Sequence, residues 1–176
     1  MAKNGKALPL LAIIIAISGL LVGGYAAFQM NLRGNYVLPV AKVFLGGSYA
    51  LGSGMPYKIL DFTDKSFDSH NAFNLASDEY IVPETGYYQI IAQYSIQSYD
   101  QDFFIIGILQ NDTVVGACSY FAAASTNTFT VSTTDIISAN VGDAISIYAY
   151  LYYVSGSPRA LFEGEGYTFF SIAKLS

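Results

Sequence analysis

Hydrophobic and polar positions alternate most regularly over residues 86–97. Every second residue there is apolar, and the positions between them are polar or aromatic, with Ile91 as the one aliphatic exception; the apolar series is Tyr88, Ile90, Ala92, Tyr94 and Ile96. A period of two predicts a long strand with one face on a core and the other face largely on water. Pro83 ends the short strand before it, and we expect Gly86 to supply backbone freedom for the corner between them.

Short apolar segments separated by turn residues continue through the rest of the chain from residue 55 onward. The predicted strands are 57–62, 73–75, 80–82, 87–97, 103–110, 113–117, 129–138, 144–153, 161–163 and 167–174. Residues 63–71 are predicted to form a polar loop, and Asn111-Asp112 a hairpin turn. Many short strands without a helical period predict an all-β, two-sheet antiparallel sandwich over residues 55–176.

The N-terminal part has a different pattern. Residues 7–28 carry no charge, and Lys3 and Lys6 precede them. A run of this length spans a bilayer as a helix, and its basic flank predicts an N-terminus inside the cell. We therefore expect one long hydrophobic α-helix over residues 1–28, which anchors the chain in the plasma membrane with the C-terminal domain outside.

Two alternatives to an uncleaved anchor stay open. Small residues at Gly24 and Ala26 fit a cleaved secretory signal. Lys6 and Ala7 before Leu8 resemble the leader of a prepilin, in which case the helix would join a filament. Residues 29–54 form a connector whose apolar part, residues 35–45, is expected to be extended. It would pack on its own domain, pair with a neighbouring subunit, or be donated to the next subunit of a filament.

Composition narrows the possible functions. The formal net charge is −5 without a basic stripe, which argues against nucleic acid as a partner. Cys118 is the only cysteine and His70 the only histidine, so an internal disulfide and the usual zinc sites are excluded. Charged residues make up only 12% of the chain, well below the usual share of about 25%. The domain is therefore expected to have a neutral surface or large buried interfaces.

Candidate sites are few. The sequence suggests no cofactor other than a calcium ion, since calcium binds carboxylates in surface loops. The candidate ligands are Asp61, Asp64 and Asp68. Asn111 begins an N-x-Thr glycosylation sequon in a predicted turn. Glu163 and Glu165 have the side chains that glycoside hydrolysis would use. No nucleophile-elbow phrase is present, so we expect no enzyme.

The order of several phrases resembles the globular head of complement component 1q, a relative of the tumour necrosis factor jelly rolls. The phrase F-x-x-P-x-T-G-x-Y-x-F of that family corresponds to YIVPETGYYQI at residues 80–90. Its G-D turn corresponds to Gly142-Asp143, and its F-S-G-x-L ending to FSIAKL at residues 170–175, where Ile172 replaces the glycine. The resemblance covers residues 57–175 and implies a jelly-roll fold and a trimer.

Self-association is also expected from the aromatic content. Four tyrosines lie within six residues and are the candidate contacts between subunits: Tyr148, Tyr150, Tyr152 and Tyr153. Exposed aromatic surface is usually covered by a symmetric partner. The sequence thus predicts a membrane-tethered head that self-associates and recognises an extracellular protein or a glycan, with an extracellular filament subunit as the alternative.

Overall fold

The structure is a computed structural model that describes residues 37–53, 58–122, 126–153 and 158–175, with residues 58–59 and 126–127 described by backbone alone. The chain divides into two units between residues 37 and 38, and every strand below belongs to the second. No helix among the described residues is long and apolar enough to cross a membrane. The helix predicted over residues 1–28 lies outside the described residues.

The described residues form thirteen strands. They are β1 (Val40–Phe44), β2 (Tyr49–Leu51), β3 (Lys58–Ile59), β4 (Asp64–Asp68), β5 (Phe73–Asn74), β6 (Glu79–Ile81), β7 (Gly86–Ser98), β8 (Phe103–Gln110), β9 (Thr113–Phe121), β10 (Thr126–Ala139), β11 (Ala144–Tyr152), β12 (Arg159–Leu161) and β13 (Phe169–Lys174).

These strands make two antiparallel sheets, as predicted. The large sheet has the order β2-β12-β7-β13-β1-β4, and β10 also pairs with β7. The small sheet has the order β5-β6-β11-β8-β9, and β3 also pairs with β11. The inward residues of both sheets form one apolar core, so the sandwich encloses a single hydrophobic interior.

Strand β7 is the centre of the large sheet, because β10 pairs with it along most of its length and β13 pairs with its residues 88–93. The alternation predicted for it is confirmed. The five inward residues are completely buried: Tyr88, Ile90, Ala92, Tyr94 and Ile96. The side chains between them point away from the core on the outward face of the sheet.

The role predicted for Gly86 is wrong in one respect. Its φ angle is not positive, so an unusual backbone conformation does not explain the glycine. The explanation is space, since a Cβ at residue 86 would lie 2.7 Å from Cε of Lys174. Lys174 crosses this point to reach Glu84, with Nζ 2.7 Å from Oε2. The corner and the last strand are therefore joined at a point where a larger residue would require the Lys174 side chain to shift.

Two segments outside the predicted strands of the sandwich are strands. β1 lies within the predicted connector, in the part expected to be extended, and it pairs with β13 and β4 of its own chain. The polar loop predicted over residues 63–71 contains β4, which lies at the edge of the large sheet. Charged side chains are common on edge strands because they prevent pairing with other chains. The polar sequence of β4 is therefore the consequence of an edge position.

The predicted hairpin turn between β8 and β9 is confirmed. Asn111 and Asp112 both have positive φ angles, 49° and 63°. This is the conformation of a two-residue type I′ turn, for which Asn and Asp are preferred. Gly142 in the β10–β11 turn also has a positive φ angle, 90°, a conformation that glycine adopts without strain.

Buried tyrosines give a prediction about stability. Tyr80 and Tyr88 are both fully buried, but the Tyr88 hydroxyl donates to the Glu84 carbonyl at 2.6 Å. The Tyr80 hydroxyl has no hydrogen-bond partner among the described residues, and burial, the main cause, raises its pKa. An unsatisfied buried hydroxyl costs about 1–3 kcal/mol. Tyr80→Phe should therefore leave the free energy of unfolding unchanged or raise it by about 1 kcal/mol.

The matched substitution Tyr88→Phe should lower that free energy by about 1 kcal/mol, because it removes a made hydrogen bond. Urea unfolding followed by tyrosine fluorescence measures both variants. Equal losses in the two would show that the Tyr80 hydroxyl is satisfied.

Candidate functional site: the outward faces of the two sheets

The outward face of the large sheet is apolar at positions where a solvated face would be polar. We call it the large-sheet face and define it by the outward residues of β1, β7, β10 and β13. Its most exposed apolar side chains are Tyr87, Ile136 and Ile91, exposed by 62%, 56% and 40%. The register places them in adjacent rows, since Ile136 lies opposite Gln89, between Tyr87 and Ile91 along β7. Half-buried Phe44 and Phe169 extend the apolar surface across β1 and β13.

Lys42 is the one charged residue among the described outward positions of these four strands. Its ammonium group has two contacts within the chain. Its Nζ lies 4.8 Å from the centre of the Phe169 ring and 3.9 Å from Oε2 of Glu165. The remaining outward residues are the small apolar Val40 and Ala173 together with Ser, Thr and Gln, which hydrogen-bond without a charge. The large-sheet face is therefore suited to burial against another protein surface.

The outward face of the small sheet is also uncharged. We call it the small-sheet face and define it by the outward residues of β8, β9 and β11. Tyr152, Phe103 and Phe121 lie directly opposite one another on the three strands. Tyr152 and Phe121 are exposed by 51% and 61%. The next row contains Tyr150, Ile105 and Ser119.

The structure separates the four tyrosines that were predicted to make subunit contacts. Tyr148, Tyr150 and Tyr152 alternate along β11 and point outward on the small-sheet face. Tyr148 is buried, because its ring covers Gly107 at a point where any Cβ would overlap it. Tyr153 lies beyond β11 and packs against Arg159 instead. Of the four, Tyr152 is thus the most exposed, and the contact role of the group stays a prediction.

Arg159 occupies a buried site that the sequence did not indicate. Its Nε and Nη2 donate to the two carboxylate oxygens of Asp102 at 2.8 and 2.9 Å. The guanidinium lies between the rings of Tyr99 and Tyr153, 4.3 and 4.5 Å from their centres. The hydrogen bond to Asp102 raises the pKa of Arg159, so the guanidinium is charged at every relevant pH. This cluster fixes the turn before β8 and is structural.

The three acidic candidates for calcium do not converge. Among the described residues, no group of three or more His, Cys, Asp or Glu side chains is placed to hold a metal ion. Asp64 accepts a hydrogen bond from the Thr63 hydroxyl, and Asp61 is exposed. Asp68 is occupied by backbone N–H groups of Ala72 and Phe73. The three do not fit a calcium site in one chain, and calcium dependence stays a prediction.

Asp68 gives a pH prediction. Burial alone would raise its pKa, but the N–H groups of Phe73 and Ala72 and the ammonium of Lys65 together hold that pKa below its usual value. A carboxylate with a depressed folded pKa stabilises the fold above its unfolded pKa, and this contribution is lost as the pH falls through the folded value. Acid should thus remove it below about pH 4.

The variant Asp68→Asn should be less stable at neutral pH and should lose less stability than the parent between about pH 4 and pH 2. Asp61→Asn, which removes an exposed carboxylate, is the control. Chemical unfolding at a series of pH values measures the difference. Parallel stability curves for the parent and Asp68→Asn would contradict this assignment.

The sequon asparagine is exposed but engaged. Nδ2 of Asn111 donates to Asp143 at 2.8 Å, and Oδ1 accepts from the N–H of Ala144 at 2.9 Å. The first of these bonds is the largest cause of the lowered pKa of Asp143. An attached glycan would use the same nitrogen. Glycosylation at Asn111 stays a prediction, and in the described geometry this side chain stabilises the β10–β11 turn.

Comparison with solved structures identifies the fold. The globular domain of zebrafish complement 1qA protein superimposes with a TM-score of 0.59 at 16% identity, covering 78% of this chain and 98% of that chain. Murine APRIL gives 0.59 at 12% identity, covering 79% and 100%. The Eiger TNF of S. frugiperda gives 0.54 at 12% identity, covering 80% and 94%.

The domain is a jelly roll. Its structural neighbours are the complement 1q head and the tumour necrosis factor jelly rolls, so the resemblance noted in residues 80–90 and 142–175 is confirmed at the level of the fold. No protein-family model matches the sequence, and no curated protein matches it. At identities of 12–16%, the comparison shows a similar fold, and the ligands of those proteins cannot be assigned to this chain.

Proposed function

We propose that this chain is a non-enzymatic cell-surface protein whose jelly-roll head self-associates through the large-sheet face, and that the assembled head acts in recognition or adhesion. The observation that supports the proposal most is the large-sheet face itself. It exposes Tyr87, Ile91 and Ile136 on one surface whose single charged residue, among the described positions, is already paired. Monomers rarely leave such a surface exposed to water.

The proposed assembly is a trimer. This stoichiometry comes from the resemblance in the sequence, and closed symmetry is the usual way for a protein to cover an apolar face without forming open fibres. Sedimentation of the full chain in a mild detergent tests it. We expect particles with three chains at micromolar concentration, and a single chain per particle would contradict the proposal.

Absence of catalysis is supported by the surroundings of the one histidine. Nδ1 of His70 lies 2.8 Å from the Ser69 hydroxyl. That hydroxyl also donates to the Leu38 carbonyl and accepts from the N–H of Val40, which joins β1 to the end of β4. A hydroxyl with these bonds is a structural link and not an activated nucleophile.

The proposal includes a membrane tether, because residues 7–28 are uncharged and long enough to span a bilayer as a helix. N-terminal sequencing of the mature protein distinguishes its forms. An intact Met1 or Ala2 end supports an anchored head. A chain that begins at Leu8 would instead indicate a filament subunit, and one that begins after Ala26 a secreted protein.

A further inference from the structure

The small-sheet face contains an aromatic strip, which we define as Tyr152, Phe103, Phe121, Tyr150 and Ile105. We propose that this strip binds a neutral polysaccharide. The inference deepens the proposed function, on which it rests in part, because it names what the assembled head recognises at the face that self-association leaves open.

The strip is a row of aromatic side chains across three neighbouring strands. Tyr152 on β11, Phe103 on β8 and Phe121 on β9 are directly opposed in the register. Neighbouring strands lie about 4.8 Å apart, so the row spans about 10 Å from its first to its last ring. The two outer side chains are more than half exposed. A rigid sheet holds them, which reduces the entropy lost on binding.

The chemistry of the row fits a sugar ring. A pyranose presents C–H groups on its faces, and these carry a small positive charge. Aromatic rings have negatively charged faces, so the two surfaces attract each other and also gain dispersion energy. The hydroxyl groups of Tyr150 and Tyr152 within the strip, and that of Ser119 beside it, can exchange hydrogen bonds with sugar hydroxyls.

Charge complementarity selects a neutral ligand. The described outward positions of β8, β9 and β11 include no Asp, Glu, Lys or Arg. Sulfated or uronic polysaccharides, nucleic acids and anionic lipid surfaces all require cations that this face does not offer. The net charge of −5 opposes them further.

The width of the strip suits a chain-like ligand. An aromatic side chain buries at most about 150–250 Å², and the three rings in the row are partly buried already. A polysaccharide chain is narrow enough to use a strip of this width, whereas a second copy of the protein on this face is one of the outcomes that the test below detects.

Native electrophoresis of the full chain in mild detergent tests the proposal, with hydroxyethyl cellulose, a mannan or a galactan cast into the gel and polygalacturonate as the charged comparison. We expect at least one neutral polymer to retard the protein. Phe121→Ala and Tyr152→Ala should each weaken the apparent affinity about tenfold or more, as loss of a stacking ring does. Tyr152→Phe should retain most of it. Tyr167→Ser removes an aromatic side chain that is 53% exposed and lies outside the strip, and it should bind normally.

Several results would overturn the proposal: no retardation by any neutral polymer, retardation by polygalacturonate alone, or equal losses in Tyr167→Ser and Phe121→Ala. An assembly whose mass falls in Phe121→Ala would show that a second copy covers the strip. Circular dichroism checks that each variant is folded. The test is separate from that of the proposed trimer, because stoichiometry is measured by sedimentation and glycan binding by mobility.

Discussion

Replacement of Asp102 by Ala should lower the free energy of unfolding by about 3–5 kcal/mol, the usual cost when one partner of a buried ion pair is removed. The substitution leaves the Arg159 guanidinium buried between Tyr99 and Tyr153 with its two carboxylate contacts gone. It also removes the acceptor for the N–H of Tyr99, which lies 2.9 Å from Oδ2. Urea unfolding of the purified full chain measures the loss.

The pair Lys42 and Glu165 provides the matched control. Its atoms are 3.9 Å apart and the Glu165 side chain is half exposed, so Glu165→Gln should cost less than about 1 kcal/mol. The double variant Asp102→Leu with Arg159→Met should be more stable than Asp102→Ala, because it removes the buried guanidinium together with its carboxylate partner. A cost below about 1 kcal/mol for Asp102→Ala would show that water or another group satisfies Arg159.

The second large effect concerns assembly. Ile91→Asp combined with Ile136→Asp should convert the proposed trimer to single chains. Two carboxylates per subunit would then have to be buried without partners when the large-sheet faces meet, and each such burial costs several kcal/mol. Both residues are exposed in the isolated domain, so the fold itself should lose little stability. Sedimentation of the full chain in detergent measures the number of chains per particle.

The control for this experiment places equal charge elsewhere. Val114→Asp combined with Val115→Asp adds two carboxylates at exposed positions on β9, outside the large-sheet face. This variant should assemble like the parent. If trimers persist after the Ile91 and Ile136 substitutions, the subunits must associate through another part of the chain, such as the N-terminal run of residues 7–28.

The local sequence was sufficient to predict the sandwich. Side chains alternate between the two faces of a strand, so an apolar residue at every second position identifies the inward face. Residues 88–96 show this most clearly, since one strand has its whole inward series at zero exposure. The Asn111-Asp112 turn was equally readable, since positive φ angles at two consecutive residues demand those residue types. Both features depend on neighbours in the chain and not on distant contacts.

Features that depend on distant strands were not readable in the same way. β4 resembles a loop because an edge strand tolerates charge, and Gly86 owes its small size to Lys174, 88 residues further along the chain. The pairing of Asp102 with Arg159 joins residues 57 positions apart. None of these leaves a periodic or local signal in the sequence.

The two candidate faces were also only partly predictable from the sequence, because each combines residues from strands that are distant in the chain. Ile91 was already visible as an aliphatic residue on a polar strand face, which was the one local sign of the large-sheet face. Its joining with Ile136 required the register between β7 and β10, strands separated by two others in the chain. The tyrosine cluster of residues 148–153 is visible in the sequence, and its role in self-association stays a prediction. That Tyr150 and Tyr152 lie beside Phe103 and Phe121 depends on the register of β11, β8 and β9, which the sequence does not show.

Electron cryo-microscopy of the assembled full chain tests the central claim most directly, because it shows which sheet lies at the contact between subunits. Our account predicts three heads around one axis, with Tyr87, Ile91 and Ile136 buried between subunits and the small-sheet faces turned outward. Particles in which the large-sheet face is open to solvent while subunits touch elsewhere would contradict it.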